Sequence, residues 1–319
     1  MQAATVLAVF AVQFFALHGD RARAQMSVPE SATQASAVAQ RQELPASPAP
    51  APASAAATMA PSGDAARPSA ATAPSAASSP ICTAPAELVR FERPLVHTMQ
   101  RLANALPLTI VAIGSSSTAG AGASSPDATY PSRLAVELRM RFPGRDITVF
   151  NRGANGEETN NMMARFSTAV LAAHPQLVLW QIGTNSVLRD HPLNPHAVQL
   201  HDGIEQLKAS GSDVVLIDPQ FAPAVIAKSE TKGMVEQIAL ASKQENVDLF
   251  QRFAVMRDWH NVQHLSFDIF VSPDRLHMND WSYACLAKLL GTAIAEAATR
   301  PIAAAAVHPA MDSAKPDVR

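Results

Sequence analysis

Hydrophobic residues follow two rhythms along this chain. Short continuous apolar runs occur at 108–113, 147–150, 177–182, 214–217 and 247–250. Their length and their Val and Ile content predict strands. Between them, apolar residues recur every three or four positions. Leu134, Leu138 and Phe142 mark a helix over 131–142. Further helices are expected over 157–173, 195–210, 228–245 and 279–298, the last with Leu286, Leu289, Leu290 and Ile294 inward. Gly211 closes the 195–210 helix, and Asp218-Pro219 stops the fourth strand. Ahead of the first strand, Leu88, Phe91, Leu95, Met99 and Leu102 form one helical face over 85–105, with a break expected at Pro94.

Strands that are apolar throughout are covered on both faces, as in a parallel sheet. Five alternations of strand and helix therefore predict an α/β fold. It is a three-layer α/β/α sandwich with a five-stranded, mostly parallel sheet, doubly wound and flavodoxin-like, over 80–300.

The ends of the chain follow other rules. Residues 1–17 are apolar, with Phe10, Phe14 and Phe15, but too few to predict a membrane span. Ala22-Arg23-Ala24 then offers a small-x-small cleavage site. Residues 1–24 are expected to be a signal peptide, with an uncleaved anchor as the alternative. No Lys or Arg precedes the apolar stretch, which departs from the usual signal. Residues 25–79 consist mainly of Ala, Pro, Ser, Thr and Gln and cannot bury enough surface to order themselves. They are expected to be a disordered linker, and 301–319 a disordered tail. The expected location is the periplasm or the exterior, with membrane tethering through the N-terminal segment as the variant.

Composition narrows the function. A formal net charge of -2 leaves no basic footprint for nucleic acid. Two cysteines make neither a disulfide-dense scaffold nor a zinc cluster. Cys82 opens the domain and Cys285 lies on its last helix. In an oxidising compartment they are expected to pair, with two free thiols as the alternative.

Candidate chemistry gathers at the strand ends. The first strand runs into Gly114-Ser115-Ser116-Ser117-Thr118-Ala119-Gly120, which places hydroxyls at the carboxyl edge of the sheet, where ligands of open α/β sheets bind. Alone, this stretch reads equally as a polar turn capping a helix. The second strand ends in Asn151-Arg152-Gly153-Ala154-Asn155-Gly156, and the third in Gly183-Thr184-Asn185. Asp274-Arg275-Leu276-His277 precedes the last helix.

Ser116, Gly153, Asn185 and His277 in that order, with Asp274 three residues before the histidine, resemble the SGNH hydrolases, or GDSL-type esterases. The resemblance covers most of the domain. It implies Ser116 as nucleophile, His277 as base and Asp274 as the group that holds the imidazole. It also implies an oxyanion hole formed by the backbone N–H groups of Ser116 and Gly153 and the side-chain amide of Asn185. One departure stands out. The family's Asp before the nucleophile is here Ser115, which cannot act as that carboxylate. Three serines become adjacent, and Ser115 and Ser117 remain alternatives to Ser116.

No cofactor and no metal are expected. His260 and His264 have a zinc-ligand spacing on an expected helical face, but no third ligand is evident. Trp259 and Trp281 flank the Asp/His loop, either as packing or as the wall of an acyl pocket. Met162, Met163 and Phe166 read as core. The expected function is an exported serine esterase acting on a small ester or an acylated glycan as a monomeric domain. An O-acyltransferase using the same residues and a non-catalytic glycan-binding envelope scaffold are the alternatives.

Overall fold

The computed structural model describes residues 79–301. The expected signal segment, linker and tail lie outside the described residues, apart from edge residues 79 and 301. Five strands form one sheet: β1 (Leu108–Gly114), β2 (Ile147–Gly153), β3 (Leu177–Gln181), β4 (Asp213–Ile217) and β5 (Asp248–Phe250). Their order is β2-β1-β3-β4-β5, and every neighbouring pair is parallel. This is the doubly wound α/β sandwich expected from the apolar runs. The side chains of Ile110, Val111, Leu179, Trp180, Val215 and Leu216 are inaccessible, so at the centre of the sheet neither face meets water.

The helices are α1 (Ala86–Val89), α2 (Val96–Ala103), α3 (Ser116–Ala119), α4 (Tyr130–Arg141), α5 (Thr159–Ala164), α6 (Phe166–Ala169) and α7 (Thr184–Leu188). They continue with α8 (Asn194–Ala209), α9 (Pro223–Ile226), α10 (Thr231–Gln244), α11 (Arg252–Asn261), α12 (Phe267–Phe270) and α13 (Asp280–Thr299). The crossovers place α4 and α13 together, while α5, α8 and α10 form a second layer.

Several boundaries differ from the sequence pattern. The helix expected over 157–173 is broken into α5, α6 and a 3-10 turn. Ser167, Thr168 and Val170 supply little helix preference there. Residues 85–105 divide into α1 and α2 on either side of Pro94, as that residue demands. The short helices α3, α7, α9 and α12 carry too few apolar residues to show a period.

The N-terminal entry is fastened to the domain. Cys82 and Cys285 form a disulfide. The indole N–H of Trp259 donates to the Thr83 carbonyl at 2.9 Å, and that of Trp281 to the Pro80 carbonyl at 3.0 Å. The two rings meet edge to face at 5.0 Å, and Trp259 is inaccessible. These tryptophans pack the entry segment rather than walling an acyl pocket. Met162 and Phe166 are core, as expected. Among the described residues, no helix is long and apolar enough to cross a membrane.

Candidate active site

From β1 the chain moves outward to β2 and then returns to β3 on the other side. The crevice beyond the carboxyl ends of β1 and β3 is therefore the topological switch point, where open α/β sheets bind ligands. Ser116 follows β1 and Asn185 follows β3, so both stand at this crevice.

The three adjacent serines are sorted by burial. Ser115 is buried, and its N–H and hydroxyl both donate to Oε1 of Gln181, at 2.9 and 3.0 Å. Gln181 ends β3, so the residue standing where the family has Asp ties the serine turn to the neighbouring strand. Ser117 is inaccessible. Ser116 alone of the three is partly exposed, and its Oγ lies 2.7 Å from Nε2 of His277. It is also the first residue of α3, and its N–H has no acceptor among the described residues.

A short loop between α12 and α13 presents the histidine. An antiparallel bridge between Val271 and Met278 closes the loop, and Met278 is buried beneath it. The Gln220 side-chain amide holds the Leu276 carbonyl at 3.2 Å, and the Ala224 N–H holds that of Arg275 at 3.0 Å. Asp274 Oδ2 lies 2.6 Å from Nδ1 of His277. Its other oxygen accepts the Ser272 hydroxyl at 2.7 Å and the N–H groups of Leu276 and His277, each at 2.9 Å. Partial burial works against the charge. The His277 side chain, the two N–H groups and the Ser272 hydroxyl nevertheless hold the Asp274 carboxyl well below the usual range. An ionised Asp274 only accepts, so in a neutral His277 imidazole Nδ1 carries the proton and Nε2 accepts from Ser116. Asn279, not Asp274, caps α13, accepting the Ser282 N–H.

The expected oxyanion donors are only partly brought together. Asn185 stands in the first turn of α7, and one hydrogen of its amide goes to the Glu157 carbonyl at 2.8 Å. The amide's second hydrogen remains to donate. Gly153 does not fit its expected role. Its N–H donates to Oδ1 of Asn151 at 2.9 Å, so it is not free for an oxyanion. A Cβ at Gly153 would lie 2.1 Å from the Ala119 nitrogen. This glycine therefore lets β2 approach the backbone of α3, not a ligand. Gly156, three residues on, has a backbone N–H without an acceptor among the described residues. Its φ of 76° is a conformation that favours glycine. It immediately precedes Glu157, whose carbonyl holds Asn185. The Asn155-Gly156 pair was the sequence signal for such a turn.

His260 and His264 are not brought onto one face. The α11 helix ends at Asn261, and His264 lies beyond it with a φ of 56°. Nδ1 of His260 lies 2.9 Å from the Leu265 carbonyl, and its ring stacks on Phe267 at 4.1 Å. Among the described residues, no group of three or more His, Cys, Asp or Glu is placed to hold a metal.

The model of the Non-GDSL lipase-like family matches residues 81–300, more than two thirds of the chain. The chain belongs to that family. The absence of a GDSL sequence agrees with Gly114-Ser115-Ser116-Ser117 in this chain. An arylesterase of Vibrio mimicus is 33% identical over 95 residues, which are 30% of this chain and 46% of that protein. The chain thus spans about half the length of this curated relative. A two-domain esterase active on acetylated mannans, crystallised with mannopentaose, is 19% identical with a TM-score of 0.58, covering 66% of this chain and 56% of that one. An acetylxylan esterase from Geobacillus stearothermophilus is also 19% identical, with a TM-score of 0.51, covering 59% and 94%. At these identities the two structures share the fold with this chain.

Proposed function

We propose that the protein is a serine esterase that removes acetyl groups from carbohydrate esters and acts after export. The observation that carries the chemistry is the unbroken Asp274–His277–Ser116 hydrogen-bond chain, which ends on the one partly exposed serine of the three. In this reading Ser116 Oγ attacks the ester carbonyl while Nε2 of His277 takes its proton. Negative charge builds on the carbonyl oxygen. The N–H groups of Ser116 and Gly156 and the free amide hydrogen of Asn185 are the donors assigned to it, with Gly156 in place of Gly153. Collapse releases the alcohol, which takes the proton from His277. Water, activated by the same histidine, then frees the acyl group from Ser116.

Acetylated glycans are favoured as substrates because two structures of this fold are described as esterases of acetylated mannan and acetylxylan. Export is favoured by the apolar 1–17 stretch, by Ala22-Arg23-Ala24, and by the Cys82–Cys285 disulfide, which suits an oxidising compartment. The test is hydrolysis of 4-nitrophenyl esters of rising chain length and acetate release from acetylated xylan and mannan. Acetate is expected to be the preferred acyl group. No hydrolysis of any ester, with the chain folded, would refute the proposal.

A further inference from the structure

We infer that Glu158 and Arg189 are positioning residues, a clamp that holds the two oxyanion loops at a fixed separation. The inference rests on the esterase reading and deepens it. Besides the Ser116 N–H after β1, the donors assigned to the oxyanion come from the loop after β2 and from α7, after β3. These strands lie on opposite sides of β1 and share no ladder. Each strand is laddered to β1, but no sheet hydrogen bond joins the two loops that run on beyond their carboxyl ends. Side chains do so instead. Arg189, just past α7, donates from Nη2 to the Gly156 carbonyl at 2.9 Å and from Nη1 to Glu158. Asn185 donates to the Glu157 carbonyl at 2.8 Å. Ser186 donates to Oε2 of Glu158 at 2.9 Å, and Nδ1 of His191 lies 2.8 Å from the same oxygen. Three successive residues, Gly156, Glu157 and Glu158, are thus each fastened to α7 or its exit.

Glu158 is only 15% exposed and its burial opposes ionisation, yet His191, Ser186 and Arg189 together hold its carboxyl below the usual range. The Arg189 side chain is 45% exposed, so the pair adds little to global stability. Its effect is on geometry. An oxyanion donor displaced by about 1 Å loses on the order of 100-fold in rate.

The test uses the full chain with 4-nitrophenyl acetate. Arg189→Ala is expected to lower kcat by about 10- to 100-fold while KM stays within about twofold. Combined with Asn185→Ala, it should be scarcely slower than Asn185→Ala alone, because both act through one group of donors. Arg189→Lys retains a single donor group and should fall between wild type and Arg189→Ala; it also serves if the alanine variant does not fold. A wild-type kcat in both Arg189 variants, or losses that multiply in the double variant, would overturn the clamp. Amide hydrogen exchange over 153–158 gives a readout independent of activity, and it should accelerate in either Arg189 variant. Unchanged exchange overturns the clamp as well. A wild-type chain that hydrolyses no ester defeats the esterase reading instead, and the exchange result still decides the clamp.

Discussion

Nε2 of His277 lies 2.7 Å from Oγ of Ser116, although 161 residues separate them in the chain. The contact joins the first strand end to the loop before the last helix. Its base is the packing of α13 against α4, together with the fastening of the 275–276 carbonyls by Gln220 and Ala224. Of the three serines, only Ser116 has this partner. Ser116→Ala is therefore expected to reduce ester hydrolysis by at least about 10⁴-fold. Ser117→Ala should retain activity within about tenfold. Rates and melting temperatures of the two variants check this, and a dead Ser117→Ala with an active Ser116→Ala would reassign the nucleophile.

Asn185 is held by the Glu157 carbonyl through one amide hydrogen only. If the other meets the oxyanion, Asn185→Ala should lower kcat by about 100- to 1000-fold and leave KM nearly unchanged. Asn185→Asp should do at least as much harm, because an ionised carboxylate accepts hydrogen bonds and repels the oxyanion. A kcat within about threefold of wild type for the alanine variant, against the expected 100-fold, would remove Asn185 from the site.

Asp218, just after β4, is inaccessible, and one of its oxygens accepts the Phe253 N–H at 2.9 Å. Burial pushes its carboxyl up to about 7, against the pull of that N–H and of the Arg252 guanidinium. An unfolded aspartate titrates near 3.9, at about that value. Between the two values the folded chain holds the extra proton, so stability falls as pH rises through about 4 to 7. Asp218→Asn keeps an oxygen for Phe253 and removes the titration. The melting temperature of Asp218→Asn relative to wild type should climb over that window and level off above it. A difference that does not change with pH would count against the burial argument.

The Cys82–Cys285 disulfide spans 203 residues of sequence. Chain-entropy reasoning gives a stabilisation of up to about 5 kcal/mol for a loop this long. Replacing both cysteines by serine should lower the melting temperature clearly, and reductant should do the same to wild type only. Equal melting temperatures for the oxidised protein and the double variant would show that the bridge contributes nothing to stability.

The strands were legible because a parallel strand covered on both faces must be apolar throughout, and 108–113 or 177–182 has no other use for such a run. Ser116, Asn185, Asp274 and His277 were marked out in the sequence by an order that resembles the SGNH hydrolases, and the structure joins Asp274, His277 and Ser116 by hydrogen bonds. The pairing of Cys82 with Cys285 was expected for an oxidising compartment, with two free thiols as the alternative, and the structure joins them. Tertiary structure decided what depends on where hydrogen bonds end. Ser115, Ser116 and Ser117 are the same residue type in succession. Only burial against Gln181 and the approach of His277 distinguish them. Gly153 ends β2 and Gly156 lies in the loop after it. The Asn151 side chain occupies the N–H of Gly153, while the N–H of Gly156 is left without an acceptor. No pattern in the sequence marks Glu158, Arg189 and His191. They meet because β2 and β3 are one strand apart, an arrangement set by the winding of the whole sheet and invisible in any local stretch of sequence.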